Sequence, residues 1–491
     1  MLENWKLQQK PEDEELAARL AAAHEKLAAQ QMQMKEKGLP VLVLFEGFGS
    51  AGKGTVLGRV LKDLDPRFFR AVALHEPTAE EKRYPFLYRY YREIPEAGQF
   101  KFLETGWLRE ISEKILRDKI TDRERKNLIG SVRKFDRSLT DNGYLVLKFF
   151  FYIDKKEQKK RMKTMCADPN TDWKLEPFDS WEHEHYEKCS RVYDDILEET
   201  DTASAPWYLV DAASRKWAEL QVLEALTAGI ETACKNTALT VPLTQNKYPL
   251  QPIPALADVD LSVSIPEEEY REKLRALQQR LGELQDELYR RKIPVIIAYE
   301  GWDAAGKGGN IKRLIRDLDP RGFEVFPIAS PKPFEKSRHY LWRFWQRLPK
   351  TGHIAVFDRT WYGRVMVERL EGFCSEPDWR RAYNEINEFE KELSDWGAVI
   401  LKFWVHIDPD TQLARFTERQ NTPEKQWKIT DEDWRNRDKW PEYEIAVNEM
   451  LQRTNTTYAP WHILESNDKH YARIKALEVT IGALEKALRE D

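Results

Sequence analysis

VIIAYEGWDAAGKGG, running from Val295 to Gly309, decides how the rest of the chain is read. Its first five residues, Val295 to Tyr299, are apolar and too few for a helix, which predicts a short strand buried on both faces. Gly301 to Lys307 then satisfies G-x-x-x-x-G-K. Glycines let the backbone turn so tightly that successive amide N–H groups converge on phosphate oxygens at a helix amino terminus, while the lysine reaches the terminal phosphates. The alternative is an ordinary glycine-rich turn between strand and helix. Context favours phosphate: an apolar strand precedes the loop, and a helix through Asn310 to Leu318 is expected after it.

The same pattern stands earlier in the chain. VLVLFEGFGSAGKGT begins at Val41, and its alignment with Val295 sets an offset of 254 residues. That offset also pairs Asp65-Pro66 with Asp319-Pro320, Gly98 with Gly352, Trp173-Lys174 with Trp427-Lys428, and Ala205-Pro206-Trp207 with Ala459-Pro460-Trp461, with no insertion or deletion. A period this long is a duplicated domain, because solenoid repeats run about 20 to 50 residues. The 491 residues, which length alone would divide into about three domains, therefore form two. The boundaries read as an N-terminal copy over 1–235, an extended linker over 236–265 carrying Pro242, Pro249, Pro252 and Pro254, and a C-terminal copy over 266–491. Each copy opens on an amphipathic helix (Leu16, Leu20 and Leu27; Leu274, Leu277, Leu281, Leu284 and Leu288), ended by Pro40 or Pro294. Further buried-type strands lie at Ile354 to Phe357 and Val399 to Ile407. Apolar strands alternating with helices predict a doubly wound α/β unit, a parallel sheet wrapped by helices, in each copy.

Composition excludes several classes. Aromatic residues make up 12%, including 17 Trp, too many for a disordered chain. The 78 Lys+Arg against 83 Asp+Glu leave a net charge of -5, which names no partner. Cys166, Cys189, Cys234 and Cys374 are widely spread with no C-x-x-C pair, as in a protein of the reducing cytosol. No apolar segment follows a basic start and no apolar run approaches 18 residues, so neither signal peptide nor membrane span is expected.

The strict loop motif places Ser or Thr after the lysine to hold magnesium, but Gly308 and Gly54 stand there, so other oxygens must hold the ion. Asp303, within the loop, and Asp358, ending the strand IAVFD, are the candidates; their structural alternatives are an Asx turn and a helix N-cap. Arg359 and Arg364, in FDRTWYGR, either neutralise charge on a transferring phosphoryl group or hold the following helix at the surface. Arg415, Arg419, Lys425, Lys428, Arg435 and Arg437 form either a cationic lid over about 415–440 or a solvated face. Lys312, Arg313, Arg316, Lys332, Lys336, Arg338, Arg343 and Arg347 form a candidate basic track suited to a linear polyanion. Trp302, Trp342, Trp345 and Trp361 are base-stacking candidates, with core packing the commoner role. His183-x-His185 reads as a surface pair. Lys148 and Lys402, inside apolar strands, require either a partner or a phosphate.

The constant offset sets the copies against each other. Asp303 becomes Gly49, Asp358 becomes Glu104, Arg359 becomes Thr105, Arg364 becomes Glu110 and Arg419 becomes Met165, whereas Lys307 survives as Lys53. Catalysis is expected from the second copy; the first is expected to be a structural or binding module.

GWDAAGKGG, LPKTGHIAVFDRTWYGRVMVERLEGF, EKQWK and TNTTYAPW together resemble the polyphosphate kinase 2 family, across nearly all of both copies and in its two-domain, polyphosphate:AMP phosphotransferase form. The resemblance implies tandem thymidylate-kinase-like P-loop domains with a helical lid. It also implies Mg²⁺-dependent transfer of the terminal phosphate of inorganic polyphosphate to AMP, giving ADP, reversible in principle. By motif, Gly301, Ala305, Gly306, Lys307, Gly308 and Gly309 bind phosphate; Asp303 and Asp358 bind the metal. Arg359 and Arg364 contact phosphates, and Arg419, Lys425 and Lys428 belong to the lid. The implied partners are polyphosphate and AMP or ADP, not nucleic acid or membrane, and the number of subunits is left open. The alternatives are a polyphosphate-dependent nucleoside diphosphate kinase and an NTP-dependent nucleoside monophosphate kinase.

Overall fold

The computed structural model describes residues 1–3, 5, 9–235 and 247–490, with side chains at all of these except 425, 427, 428 and 432. Residues 236–246 of the expected linker lie outside the described residues. The chain divides into two compact units, one of Met1–Glu81, Phe86–Val241 and Pro333–His339, the other of Lys82–Pro85, Pro242–Lys332 and Tyr340–Asp491.

The first unit carries β1 (Val41–Gly47), β2 (Phe69–Ala73), β3 (Phe100–Glu104), β4 (Leu145–Tyr152) and β5 (Trp207–Asp211). They form one sheet of order β2-β3-β1-β4-β5, parallel at every pairing. The second unit carries β6 (Val295–Gly301), β7 (Phe323–Pro327), β8 (Ile354–Asp358), β9 (Val399–His406) and β10 (Trp461–Glu465), in the equivalent order β7-β8-β6-β9-β10 and again parallel. Each strand of the second sheet starts 254 residues after its counterpart.

The strand that precedes each glycine loop is central, and β6 is buried from Val295 through Glu300. Parallel strands covered on both faces are apolar throughout, which is why these runs show no alternation. Outside the sheet the opening helix Glu267–Arg291 buries Leu281, Leu284 and Leu288, and Arg280 pairs with Glu485 of the closing helix Lys469–Glu490 at 3.0 Å. The helix ends with Lys292 in the left-handed region, two residues before Pro294. In the first unit the corresponding helix, Asp13–Lys37, ends on the left-handed Gly38.

The helix after the second glycine loop is Lys307–Leu314, earlier at both ends than the expected Asn310 to Leu318. Gly306 caps it in the left-handed region, and the chain turns before Asp319-Pro320, where the residue before proline disfavours helix. The described part of the connector packs on the second unit: Leu250 bridges Thr456, and Asn455 Nδ2 donates to the Gln251 carbonyl at 2.9 Å.

Both strand lysines have partners. Lys402 Nζ, fully buried, reaches Glu390 Oε2, the Tyr362 hydroxyl and the Thr454 carbonyl, each at 2.8 Å. Lys148 Nζ reaches Asp136 Oδ2 at 2.6 Å and the Thr200 carbonyl at 2.8 Å.

Gly301, at φ +151°, is where β6 leaves the sheet, and a Cβ there would lie 2.4 Å from the Val405 carbonyl oxygen. Gly308 has nothing within 4 Å of the equivalent point. Gly301→Ala is therefore expected to destabilise the second unit by on the order of 3 kcal/mol, whereas Gly308→Ala, in a helical turn, gains about 0.5–1 kcal/mol. Urea denaturation of the full chain followed by tryptophan fluorescence checks both signs.

Candidate functional site

In the second unit the loop from Gly301 to Gly306 joins the central strand to the helix Lys307–Leu314. Its peptide orientation is set by side chains behind it. Lys307 Nζ donates to the carbonyls of Gly301 (2.6 Å) and Trp302 (3.1 Å), and Gln412 Nε2 to that of Asp303 (3.1 Å). Arg415 Nη1 donates to the carbonyls of Ala304 (3.0 Å) and Ala305 (2.9 Å), and Ser466 Oγ to Ala305 (2.7 Å). Carbonyl and amide of a trans peptide point in opposite directions, so the loop turns the N–H groups of Asp303, Ala304 and Gly306 to its other side, the arrangement an anion needs. Contrary to expectation Ala305 is not among them, its N–H donating to the Trp302 carbonyl at 3.1 Å as that of Trp302 does to the Val405 carbonyl at 3.3 Å. Burial, and after it the neighbouring Arg419, lowers the Arg415 guanidinium to about 10, and it remains charged at neutral pH.

Asp358 ends β8 in register with Tyr299 of β6, so it stands beside the start of the loop at the carboxyl edge of the sheet. That edge, where chain order reverses about the central strand, is where α/β sheets bind ligands. Asp303 faces it from the loop: its Oδ1 accepts from Arg359 Nη2 at 3.3 Å and its Oδ2 from Asn436 Nδ2 at 2.9 Å. Arg359 and Ala304 hold φ +65° and +59°, a left-handed backbone that side chains other than glycine adopt only at a cost. Glu300 secures the segment after Arg359, its Oε1 accepting from both N–H and Oγ1 of Thr360 at 2.7 Å. Burial raises the Glu300 carboxyl, opposed by Thr360 and by the charge of Lys307. Arg364 pairs with Glu368 at 2.6 Å and lies over the Tyr340 ring at 4.4 Å, so it stabilises its own short helical segment. Asp303, Lys307, Asp358 and Arg359 are thus brought together, with Arg364 turned onto the neighbouring wall.

Several expectations need correction. Arg415 and Arg437 are not lid cations: Arg415 is buried on the loop carbonyls, and Arg437 Nη1 donates to the Pro409 carbonyl at 2.7 Å and to Gln412 at 3.1 Å. Arg419 is half-buried beside Arg415, and Arg435 is exposed. Lys425 and Lys428 lie on the turn Pro423–Lys428, but their side chains fall outside the described residues. In the proposed basic track Arg313 donates to the Gly309 carbonyl, Arg343 to that of Ala329 and Arg338 to Glu96, while Lys312 and Arg316 are exposed. Trp302 is no base platform: it stacks on Trp440 at 3.8 Å and donates to His406 Nδ1 at 3.0 Å. Trp345 and Trp361 are core residues, and Trp342 is half-buried. His183 contacts Gln158 and His185 stacks on Trp181, so neither forms a ligand pair. Among the described residues no group of three or more His, Cys, Asp or Glu could hold a metal by itself.

Glu300, Gln412, Asn436 and Ser466 were not singled out from the sequence. Two of them left a signal, since Glu300 and Gln412 recur as Glu46 and Gln158 at the offset of 254. Glu300 is also a carboxylate within an apolar strand.

The first unit keeps the brace, apart from Ala212 in place of Ser466, and changes what faces it. Lys53 Nζ donates to the Gly47 and Phe48 carbonyls at 2.9 and 3.0 Å, and Arg161 Nη1 to that of Ala51 at 2.9 Å. The space that Asp303 uses in the second unit is taken by Asp179, whose Oδ1 lies 2.6 Å from where a Gly49 Cβ would be. Glu182 Oε2 accepts from the Gly49 N–H at 2.7 Å. Glu104 reaches across to the first turn of its helix, its Oε1 lying 2.8 Å from a Cβ built on Gly54. Carboxylates of the unit itself fill the front of this cradle.

The family model of polyphosphate kinase 2 matches residues 10–238 and 264–491, and the chain belongs to that family. A polyphosphate:AMP phosphotransferase of Pseudomonas syringae pv. tomato is 38% identical, over 100% of this chain and 99% of its own. One of Acinetobacter johnsonii is 36% identical over 96% of each chain. An NDP-polyphosphate phosphotransferase of Ruegeria pomeroyi is 37% identical over 44% of this chain and 72% of its own. A crystal structure of a polyphosphate kinase 2 from Pseudomonas aeruginosa superposes with TM-score 0.86 at 35% identity, covering 100% of both chains.

Arg415→Lys leaves one ammonium where a guanidinium spans two peptide groups and is expected to weaken pyrophosphate binding by roughly tenfold, about 1.4 kcal/mol. Arg161→Lys is expected to leave that affinity unchanged, and calorimetric titration of both variants checks the contrast.

Proposed function

We propose that the second unit transfers the terminal phosphoryl group of inorganic polyphosphate to AMP, forming ADP. The observation that carries this reading is the joint presence of Asp303, Lys307, Asp358 and Arg359 at one sheet edge. It is supported by relatives, matched over 99% and 96% of their length, that are named polyphosphate:AMP phosphotransferases.

In the transfer an oxygen of the AMP phosphate attacks the terminal phosphorus of polyphosphate. A P–O bond forms to AMP, the bond to the bridging oxygen breaks, and the chain shortened by one phosphate leaves with that electron pair. The N–H groups of Gly306, Gly308 and Gly309 and the Lys307 ammonium hold phosphate, with Gly301 giving the turn its room and the Ala305 N–H closing it on the Trp302 carbonyl at 3.1 Å. Arg359, with Arg364 behind it, stabilises charge on the equatorial oxygens, while Arg419 meets the chain from the helix Pro409–Asn421. Asp303 and Asp358 suit Mg²⁺, which takes one or two carboxylates and completes its shell with phosphate oxygens and water. That ion would neutralise charge on the transferred group. Arg359 pairs with Asp303 at 3.3 Å, so the two side chains that would meet phosphate and cation stand side by side.

The N-terminal copy, over 1–235, is structural, its cradle filled by Glu104, Asp179 and Glu182. The reading is of a cytosolic enzyme; no described helix is long and apolar enough to cross a membrane.

Incubation with AMP, Mg²⁺ and either polyphosphate or ATP is expected to form ADP rapidly with polyphosphate. Formation only with ATP excludes the reading. Lys307→Ala is expected to lower kcat by about 10²–10³-fold and Lys53→Ala by less than about twofold.

A further inference from the structure

The segment that follows Asp358 is held to the glycine loop's own strand by the Arg359 N–H, which donates to the Tyr299 carbonyl at 3.0 Å, and by two side-chain carboxylates. The first is Glu300 on Thr360. The second lies deeper. Glu390, on the helix Glu376–Asp395, accepts through Oε1 from Trp361 Nε1 at 3.1 Å and from the Tyr362 hydroxyl at 2.6 Å, while its Oε2 accepts from Lys402 Nζ at 2.8 Å. Glu390, Lys402 and Tyr362 are fully buried and Trp361 is 1% exposed. Burial lowers the Lys402 ammonium, opposed by Glu390, and raises the Tyr362 hydroxyl well above its ordinary value.

We infer that Glu390 is a positioning residue for the phosphoryl-transfer arginine: through Trp361 and Tyr362 it fixes the chain that leaves Asp358 and Arg359. The inference rests on the transfer reading above. Its independent support comes from the first unit. There the offset of 254 places Asp136 for Glu390 and Leu108 for Tyr362, while Trp107 and Lys148 are kept. The shorter Asp136 reaches Lys148 at 2.6 Å, but its Oδ1 and the Trp107 Nε1 are buried with no hydrogen-bond partner. The same sheet forms in both units, so the fold does not require the glutamate. The unit that lost the tethers is the one whose arginines are replaced by Thr105 and Glu110. A displacement on the order of 1 Å at a charge-stabilising group costs up to about a hundredfold in rate.

Glu390→Asp brings the first unit's carboxylate to this position, keeping the ion pair and withdrawing the acceptor that Trp361 and Tyr362 share, while the Tyr362 hydroxyl still accepts from Lys402. In steady-state assays with AMP and polyphosphate it is expected to lower kcat by roughly 10- to 100-fold with KM for AMP within about threefold. Hydrogen exchange of the amides from Arg359 to Val365 is expected to accelerate in the same variant. The pair Glu390→Gln with Lys402→Met, which retains the acceptor for Trp361 and Tyr362 without the charges, is expected to restore most of kcat. An unchanged kcat in folded Glu390→Asp, or lost kcat with unchanged exchange over 359–365, overturns the inference. Should Glu390→Asp not fold, Tyr362→Phe serves with the same readouts: several-fold lower kcat supports it and wild-type kcat overturns it. Wild-type chain assayed alongside separates the two claims, because failure to form ADP there removes the transfer reading itself.

Discussion

The site depends on which way five consecutive peptide groups face. The carbonyls from Gly301 to Ala305 all accept from side chains, of Lys307, Gln412, Arg415 and Ser466, and the N–H groups of Asp303, Ala304 and Gly306 are thereby turned outward. Without those donors the carbonyls other than that of Trp302, which also accepts from the Ala305 N–H, would be left unsatisfied, at a cost of about 1–3 kcal/mol each. The rest of the second unit serves that requirement. The helix after β9 delivers Gln412 and Arg415, the end of β10 delivers Ser466, and β6 approaches β9 so closely that only glycine fits at 301.

This constraint explains why the two units diverged unevenly. The bracing groups recur except Ser466, which Ala212 replaces: Lys53 stands for Lys307, Gln158 for Gln412, Arg161 for Arg415 and Glu46 for Glu300. Each is buried or satisfies buried backbone, so its loss would destabilise the fold whether or not chemistry takes place. The groups facing the cleft carry no such penalty. Asp303, Arg359 and Arg419 gave way to Gly49, Thr105 and Met165, and acidic side chains moved into the vacated front of the cradle. Retention of Lys53 is thus an architectural requirement, and its presence alone is no sign of catalysis.

Much of this was legible in the sequence, and for physical reasons. Burial on both faces leaves an unbroken apolar run, the glycine loop has a fixed spacing, and a duplication without gaps lets one copy report on the other. Asp303, Lys307, Asp358 and Arg359 could be named because each stands at a position set by that spacing or by the end of a strand. What could not be read was the third dimension of a charge run. Arg415 and Arg437 look like the exposed Arg435 in sequence, and only packing distinguishes a guanidinium under the loop from one in water. Trp302 likewise became a core residue because Trp440, far along the chain, stacks on it. The strand order and the partner of Lys402 were hidden for the same reason, since Glu390 lies on a separate helix whose facing side is fixed only by the assembled sheet.

The central claim is that one cradle in two accepts phosphate. Calorimetric titration of the intact chain with pyrophosphate in the presence of Mg²⁺ tests it most directly. The account predicts one site per chain, lost in Lys307→Ala; two sites, or one that survives Lys307→Ala, would contradict it.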